Sequence, residues 1–299
     1  MNKHLFIAGM QKCGTSALAS WFIDQSLAEF LVPNEKEPNV YQSIDFGKSF
    51  FVRSESTSPN AWLLDASVHY SLNPFAISRM PNNCRIVLCF RNPWERTWSA
   101  YRMNKWLAMK LPSSRNDPNG ITVNAVNNYE KELLFNRIYP SKLRNTISRY
   151  LEDESVRVRE GEFSARLRYE LDFFYARCNF PLRNCLGCTR YRFALGNILN
   201  KFAASDVFLV SLPKLKDAAL RNRFVHELLG MKGDYPEIPP EFVLEGVDIG
   251  EEKPDFSRPE FDGLRSSFRY DLQEFEKLIE REGISTDYLD FDALWKNLR

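Results

Sequence analysis

The sequence predicts an α/β protein in which helices flank a central parallel sheet. Short apolar segments alternate with helical patterns in the first hundred residues, an order that is typical of parallel sheets. The segment RIVLCF (85–90) is apolar throughout, as expected for a strand that is covered on both faces. With 299 residues, including 23 Phe, 12 Tyr and 6 Trp, the chain can bury a large core, and we expect one domain over residues 1–299.

The strands and helices are predicted in order along the chain from their apolar periodicity. The predicted strands are LFIAG (5–9), WLLDAS (62–67), RIVLCF (85–90) and DVFLVSL (206–212). The predicted helices are SALASWFIDQSL (16–27), a helix that begins near Pro93, YRFALGNILNKF (191–202), RNRFVHELLGM (221–231), FDGLRSSFRYDLQEFEKLIEREG (261–283) and FDALWKNLR (291–299). Residues 104–188 are rich in charges and turn formers, and we expect a mainly helical insertion there that shapes one wall of a ligand pocket.

The overall charge limits the classes of partner. Lys and Arg number 40 against 39 Asp and Glu, so the net charge is +1 and an anion site must be local. We therefore expect no nucleic-acid partner. Because no run of about eighteen apolar residues occurs, we expect no integral membrane association. The N-terminus enters a core strand at once, which indicates a cytoplasmic protein.

The six cysteines carry no strong metal-binding or disulfide pattern. Cys185 and Cys188 have the spacing of zinc ligands, and Cys178 is near them, but no histidine is close in sequence to provide a fourth ligand. Free thiols are the first expectation, and a disulfide or a structural zinc site remains an alternative.

The first segment with a chemical signature is GMQKCGTSAL (9–18), between the first strand and the first helix. Such a turn presents backbone N–H groups and the positive end of the helix dipole to an anion. Its glycines match the pattern G-x-x-x-x-G-K-[ST], but Thr15 stands where ATP-binding loops have lysine, and Lys12 precedes Gly14. The loop predicts an anion site without the usual arrangement for a metal and a γ-phosphate. An ordinary strand–helix turn with a surface lysine is the alternative.

The second segment is RIVLCFRNPWERTWSAYR (85–102). Arg91 follows a buried strand at the end where open α/β sheets bind ligands. Asn92, Pro93 and Glu95 are a strong helix start, with Asn as the N-cap. Arg91 and Ser99 are therefore candidates for a second anion site. The alternatives are an ion pair of Arg91 with Glu95 and, for Arg96, a plain surface charge.

The two segments together resemble the PAPS-dependent sulfotransferase family, in particular its bacterial and glycan-modifying members, which have a P-loop-like fold. GMQKCGTSAL looks like the loop G-x-x-[KR]-x-G-T-[ST], and the second segment looks like R-[ND]-P-x-[ED]-R-x-x-S-x-Y. The resemblance implies sulfuryl transfer from PAPS to a hydroxyl or amine acceptor, such as a small molecule or a glycan, with release of PAP and without a metal. The 5′-phosphosulfate would be bound by Gln11, Lys12, Cys13, Gly14, Thr15 and Ser16, and the 3′-phosphate by Arg91 and Ser99.

The resemblance also implies a base that deprotonates the acceptor. NEKEPNVYQ (34–42) is similar to the family segment K-E-P-x-x-[FY], which indicates Glu37 as general base. His69 is the alternative base, because other members of the family use a histidine. In DASVHY, Ala66 stands where several glycan enzymes have an auxiliary lysine, which leaves that lysine without a counterpart at this position. Residues 104–188 would form the acceptor side.

Two other functions remain as alternatives. A kinase using ATP and Mg²⁺ would need the G-K-[ST] order and an acidic residue for the metal, but the order is absent and Arg91 follows the buried strand. A non-catalytic nucleotide-binding protein on the same fold is expected to lack Lys12 or a base, and both are present.

Overall fold

A computed structural model describes residues 3–42, 61–109, 156–158, 160–177, 184–240 and 248–299. In these ranges, no helix is both long enough and apolar enough to cross a membrane.

The centre of the fold is a five-stranded parallel sheet. Its strands follow the order β2-β3-β1-β4-β5. Leu5 of the first strand is in register with Leu64 on one side and with Arg85 on the other. The strands are β1 (His4–Gly9), β2 (Ala28–Phe30), β3 (Trp62–Asp65), β4 (Cys84–Cys89) and β5 (Val207–Val210).

The α-helices whose two ends both lie in the described ranges connect and flank these strands. They are α1 (Thr15–Asp24), α2 (Pro74–Arg79), α3 (Pro93–Met109), α4 (Phe163–Arg177), α5 (Tyr191–Leu199), α6 (Ala218–Leu229), α7 (Asp262–Glu282) and α8 (Phe291–Trp295). Gly230 ends α6 in the left-handed conformation with φ 73°, which is common for a glycine at the C-terminal end of a helix.

The core lies on and around the two central strands. The apolar residues of β1 and β4 are buried, as the uninterrupted apolar runs predict. Aromatic side chains join the sheet to the helices: Phe90 packs against Phe275 of α7 and Tyr191 of α5, with ring centroids 4.9 and 5.0 Å apart. Trp94 stacks on Phe256 at 4.6 Å. The start of α3 is therefore fixed in the core.

The predicted α/β fold is confirmed, and β2 is an additional strand that the sequence pattern does not predict. All four predicted strands occur within one or two residues of their expected bounds. In the predicted insertion, 104–188, the described residues include the end of α3 and the whole of α4, while residues 110–155 lie outside the described ranges. The single domain and the function of the insertion stay predictions.

Candidate active site

The two predicted anion loops follow neighbouring strands. β1 and β4 pair in parallel, so residues 10–14 and 90–92 both leave the sheet at its carboxyl edge. The Met10 N–H donates to the Cys89 carbonyl oxygen at 2.9 Å, which joins the two loops at their base. The arrangement is the crevice in which open α/β sheets bind ligands.

The first loop turns directly into α1. Gly14 is the residue before the helix, with φ 87°, and its carbonyl oxygen accepts the N–H of Leu18 at 3.1 Å. The N–H groups of the first helical turn, including those of Thr15 and Ser16, have no acceptor within the helix and are available to an anion. Cys13 is buried, and its own N–H donates to the Met10 carbonyl oxygen at 3.2 Å.

Lys12 lies in the middle of this loop with a left-handed backbone, φ 66°. Its side chain is half-buried. Burial lowers the pKa of Lys12 below its ordinary value, and the positive charges of Arg91, Lys36 and Arg102 lower it further. The structure therefore brings three cations, from the segments 34–42 and 85–102, toward Lys12, as expected where an anion binds.

The second loop has the predicted helix start. Asn92 is the N-cap of α3, because its side-chain oxygen accepts the N–H groups of Trp94 and Glu95 at 3.0 and 3.3 Å. Arg91 is exposed and its guanidinium lies 3.5 Å from the Glu95 carboxylate, so the ion pair considered as an alternative is present. Glu95 also pairs with Lys253. Ser99 is half-buried on the same helix.

The turn between β4 and α3, residues 90–92, is called the Arg91 corner. Two other parts of the chain hold its backbone in place. The Asn92 side-chain amide donates to the carbonyl oxygens of Leu294 and Lys296 at 2.9 and 2.7 Å, next to α8. The Tyr191 hydroxyl donates to the Arg91 carbonyl oxygen at 2.5 Å. The backbone that carries Arg91 is therefore fixed, while its side chain stays accessible.

The segment with Glu37 is attached to the end of β3. The Ala66 N–H donates to the Lys36 carbonyl oxygen at 2.9 Å, and the Asn39 N–H donates to the Ser67 hydroxyl at 2.9 Å. The Glu37 carboxylate pairs with the ammonium group of Lys36 and is one-third exposed. This carboxylate therefore lies beside one of the cations that act on Lys12.

Beneath this segment is a buried carboxyl, Asp65. It accepts the N–H and hydroxyl of Ser67 at 3.0 and 2.6 Å and the Tyr70 hydroxyl at 2.7 Å. Burial raises the pKa of Asp65 to about 6, although these hydrogen bonds oppose the rise. The negative charge of Glu37 acts in the same direction as burial, which shows that the two carboxyls are neighbours.

The imidazole of His69 forms a hydrogen bond with the thiol of Cys188. Burial lowers the pKa of His69, but a hydrogen bond with the Cys188 thiol and the charge of Glu37 outweigh burial and raise it. Burial raises the pKa of Cys188, but the same hydrogen bond, together with the nearby charge of Arg96, lowers it. Glu37 is thus close enough for its charge to affect His69.

Two comparisons with known proteins bear on the family and on the fold. The family model described as "Sulfotransferase domain" matches residues 2–157 of the 299 in the chain. The chain belongs to the sulfotransferase family. A crystal structure of a sulfotransferase from Alicyclobacillus acidocaldarius has the same fold, with a TM-score of 0.55 and 18% identity over 94% of this chain and 96% of that one. No curated protein matches.

Arg96 of this sulfotransferase is not the surface charge that the sequence analysis considered. Its side chain is completely buried between α3 and the first loop, and one guanidinium nitrogen donates to the Gln11 carbonyl oxygen at 3.4 Å. Cys188 is the other residue near the site that the sequence analysis did not select as functional. Arg96 stands in the second motif, one turn after the N-cap, and that position is the only sequence signal for it.

The cysteines of this sulfotransferase are free where the structure describes them. Cys13, Cys84, Cys89, Cys185 and Cys188 are buried thiols, which confirms the first expectation for these five, while Cys178 lies outside the described ranges. Burial raises the pKa of Cys13 to about 12, so this loop thiol is neutral. In the described ranges, no group of three or more His, Cys, Asp or Glu residues is arranged to hold a metal ion.

Proposed function

We propose that this sulfotransferase moves a sulfuryl group from PAPS to the hydroxyl group of a carbohydrate or polyol-type acceptor and releases PAP. The observation that carries the proposal is the pairing of two anion-binding corners on neighbouring strands, with Lys12 and Arg91 close enough for their charges to interact. PAPS has two separate anionic groups, the 5′-phosphosulfate and the 3′-phosphate, so it suits a site with two such corners.

The first loop would bind the phosphosulfate. We assign the 5′-phosphate to Thr15, Ser16 and the N–H groups at the start of α1, where the helix dipole favours negative charge. Gln11, Cys13 and Gly14 form the backbone of this cradle. Lys12 would contact the oxygen that bridges phosphorus and sulfur. That oxygen gains charge as the sulfuryl group leaves, so Lys12 stabilises the transition state more than the ground state.

The second loop would bind the 3′-phosphate through Arg91 and Ser99. The guanidinium of Arg91 is exposed, and its pairing with Glu95 is long at 3.5 Å. Glu95 has a second cation, Lys253, so it stays paired when Arg91 turns to a phosphate. A bidentate arginine–phosphate pair is stronger than an exposed pair with a carboxylate.

Glu37 is the proposed general base on the acceptor side. The acceptor oxygen forms a bond to sulfur while the bond from sulfur to the bridging oxygen of PAPS breaks, and the acceptor proton passes to Glu37. The carboxylate pairs with Lys36, which is one of the cations that act on Lys12. His69 is the alternative base, but its hydrogen bond with Cys188 restrains the imidazole.

The test is a transfer assay combined with binding measurements. Purified protein is incubated with PAPS that carries radiolabelled sulfate and with a panel of sugars, polyols and simple alcohols and amines. Calorimetry then compares PAP with ATP and Mg²⁺. We expect PAP to bind and a hydroxyl acceptor to become labelled. Binding of ATP and Mg²⁺ without affinity for PAP would favour a kinase and reject the proposal.

A matched pair of variants tests whether Arg91 binds the donor. Arg91→Gln removes the proposed 3′-phosphate contact, and Arg85→Gln removes an arginine from the opposite end of β4, where it pairs with Asp206 at 2.7 Å. We expect PAP affinity to fall by about tenfold or more in the first variant only. Equal affinities in the two variants would reject the role of Arg91.

A further inference from the structure

Arg96 differs from the other buried arginines of the described ranges. Arg221 donates four hydrogen bonds to backbone carbonyl oxygens, and Arg166 pairs with Glu170 at 2.9 Å. The side chain of Arg96 is completely buried, yet the only hydrogen bond that it makes in these ranges is the one to Gln11, and its Nε and Nη2 atoms have no partner there. A buried cation with so few partners is costly for folding, which suggests a gain elsewhere.

Arg96 connects the start of α3 to the loop that follows β1. Arg96 lies in the first turn of α3, where its N–H donates to the Asn92 carbonyl oxygen at 2.9 Å. From there its side chain extends across to the loop after the neighbouring strand, β1, and meets the Gln11 carbonyl. It therefore lies behind the loop and connects the two proposed anion corners from inside the protein.

The Gln11 carbonyl is an effective point at which to hold this loop. It belongs to the peptide group that joins Gln11 to Lys12, so its direction changes whenever the backbone rotates at φ of Lys12. That angle is 66°, in the left-handed region that a residue with a side chain avoids. A donor that holds this carbonyl inward stabilises the unfavourable angle and, with it, the position of the Lys12 side chain.

We infer that Arg96 is a positioning residue of the first loop: from behind, its guanidinium holds the Gln11 carbonyl and keeps the loop in the conformation that presents Lys12 and the N–H groups to an anion. Its positive charge, which no described carboxylate pairs with, adds to the attraction for that anion. The inference rests on the proposed function for the identity of the anion, PAPS, but not for the role of the loop.

The experiment compares Arg96→Met with Arg221→Met. Both changes remove a buried guanidinium and leave an unbranched apolar side chain, but Arg221 donates to carbonyl oxygens of residues 215, 216 and 235 and is not part of either loop. Calorimetry gives the affinity for PAP, thermal unfolding gives the stability without ligand, and assays give kcat and KM for PAPS. Arg96→Lys is the third variant, because it keeps the positive charge and one donor nitrogen but loses the planar guanidinium.

We expect Arg96→Met to weaken PAP binding by about tenfold or more and to lower kcat, with little change in the melting temperature. Arg221→Met should lower the melting temperature and leave PAP affinity within about twofold. The PAP affinity and kcat of Arg96→Lys should lie between those of the original protein and Arg96→Met. Arg96→Lys replaces Arg96→Met in the comparison if the latter does not fold. The inference is overturned if Arg96→Met, or Arg96→Lys in its place, binds PAP as tightly as the original protein.

The same experiment separates this inference from the proposed function. If the unchanged protein binds ATP with Mg²⁺ or inorganic pyrophosphate but not PAP, the proposed function fails, and the comparison of Arg96→Met with Arg221→Met is made with that ligand. A protein that binds none of these phosphates overturns both.

Discussion

Lys12 is a cation that the fold itself disfavours. Burial and the charges of Arg91, Lys36 and Arg102 all lower its pKa, so an anion bound beside it restores a favourable environment. We expect Lys12→Ala to lower kcat by about 10²–10³-fold, because the charge on the leaving group is then poorly stabilised. PAP affinity should change less. A variant that transfers sulfate at the original rate would contradict the mechanism.

The lowered pKa of Lys12 also predicts how the rate depends on pH. A lysine with a lowered pKa loses its positive charge at lower pH than an ordinary lysine with pKa 10.5, so kcat/KM should fall on the alkaline side earlier than expected for a free lysine. Lys12→Arg keeps its charge at every accessible pH. The alkaline decrease should therefore move to higher pH in this variant, whatever its maximum rate. An unchanged profile would assign the decrease to another group.

Glu37 and His69 can be distinguished by paired substitutions. Glu37→Gln keeps the shape of the side chain but cannot accept a proton, so we expect kcat to fall by about 10²–10⁴-fold with PAP affinity unchanged. His69→Gln should have a smaller effect, because the imidazole is already engaged with Cys188. Glu35→Gln, in the same loop, is the control. A larger loss for His69→Gln than for Glu37→Gln would make His69 the base.

At the scale of elements, the junction of β1 and α1 depends on a glycine. A Cβ atom on Gly14 would lie 2.1 Å from Cδ1 of Leu212, in addition to the unfavourable φ of 87°. We expect Gly14→Ala to lower the free energy of unfolding by about 2–4 kcal/mol, of which the backbone conformation accounts for about 1–2. Urea unfolding measures the change.

Gly283 provides the control for this prediction. It has φ 64°, but a Cβ atom there would meet nothing within 4 Å, so Gly283→Ala measures the backbone cost alone. The two costs should differ by about 1–3 kcal/mol, the contribution of the contact with Leu212. Equal costs would mean that Leu212 moves aside without penalty.

The sequence was informative about elements whose signals are local. The apolar run of β4 and the N-cap at Asn92 appear in the structure as predicted. β2 was missed because its three residues, Ala28–Phe30, are too few to show an alternating pattern. Such a short strand is formed by its pairing with β3, which is a contact between distant parts of the chain.

In the candidate site too, the residues of local motifs were predicted, whereas contacts between distant segments were not. The motifs indicated Lys12, Arg91 and Ser99 because their spacing from glycine and proline is visible in the sequence. The burial of Arg96 behind Gln11, and the pairing of His69 with Cys188, follow from the neighbourhood of β1 and β4 and from where residues 187–189 pack. No pattern in one sequence reports such contacts.

For the whole molecule, the buried carboxyl of Asp65 predicts how stability depends on pH. Its pKa is about 6 in the folded chain against an ordinary 3.8, so the folded state holds an additional proton between these values. The contribution of Asp65 to the free energy of unfolding should therefore fall as pH rises from about 4 to about 6, by up to about 3 kcal/mol for a shift of this size, and stay constant above. Asp65→Asn, which does not titrate, should reduce this slope.

Because of Asp271, the free energy of unfolding of the Asp65→Asn variant should still depend on pH. Burial raises its pKa to about 6 as well, so it contributes to the pH dependence in the same direction and remains in the Asp65→Asn variant. Urea unfolding at several pH values between 4 and 7 gives the slope for both proteins. Identical slopes would show that Asp65 keeps its ordinary pKa.

The contact between Asn92 and the segment after α8 affects the order in which parts of the protein fold during synthesis. The amide of Asn92, which starts the helix bearing Arg91 and Ser99, is held by carbonyl oxygens of residues 294 and 296. During synthesis the chain emerges from its N-terminus, and folding begins before the end has appeared. The Arg91 corner therefore gains its last supporting contacts some two hundred residues after its own helix has been made, so a nascent chain can form the sheet well before it has a complete second corner.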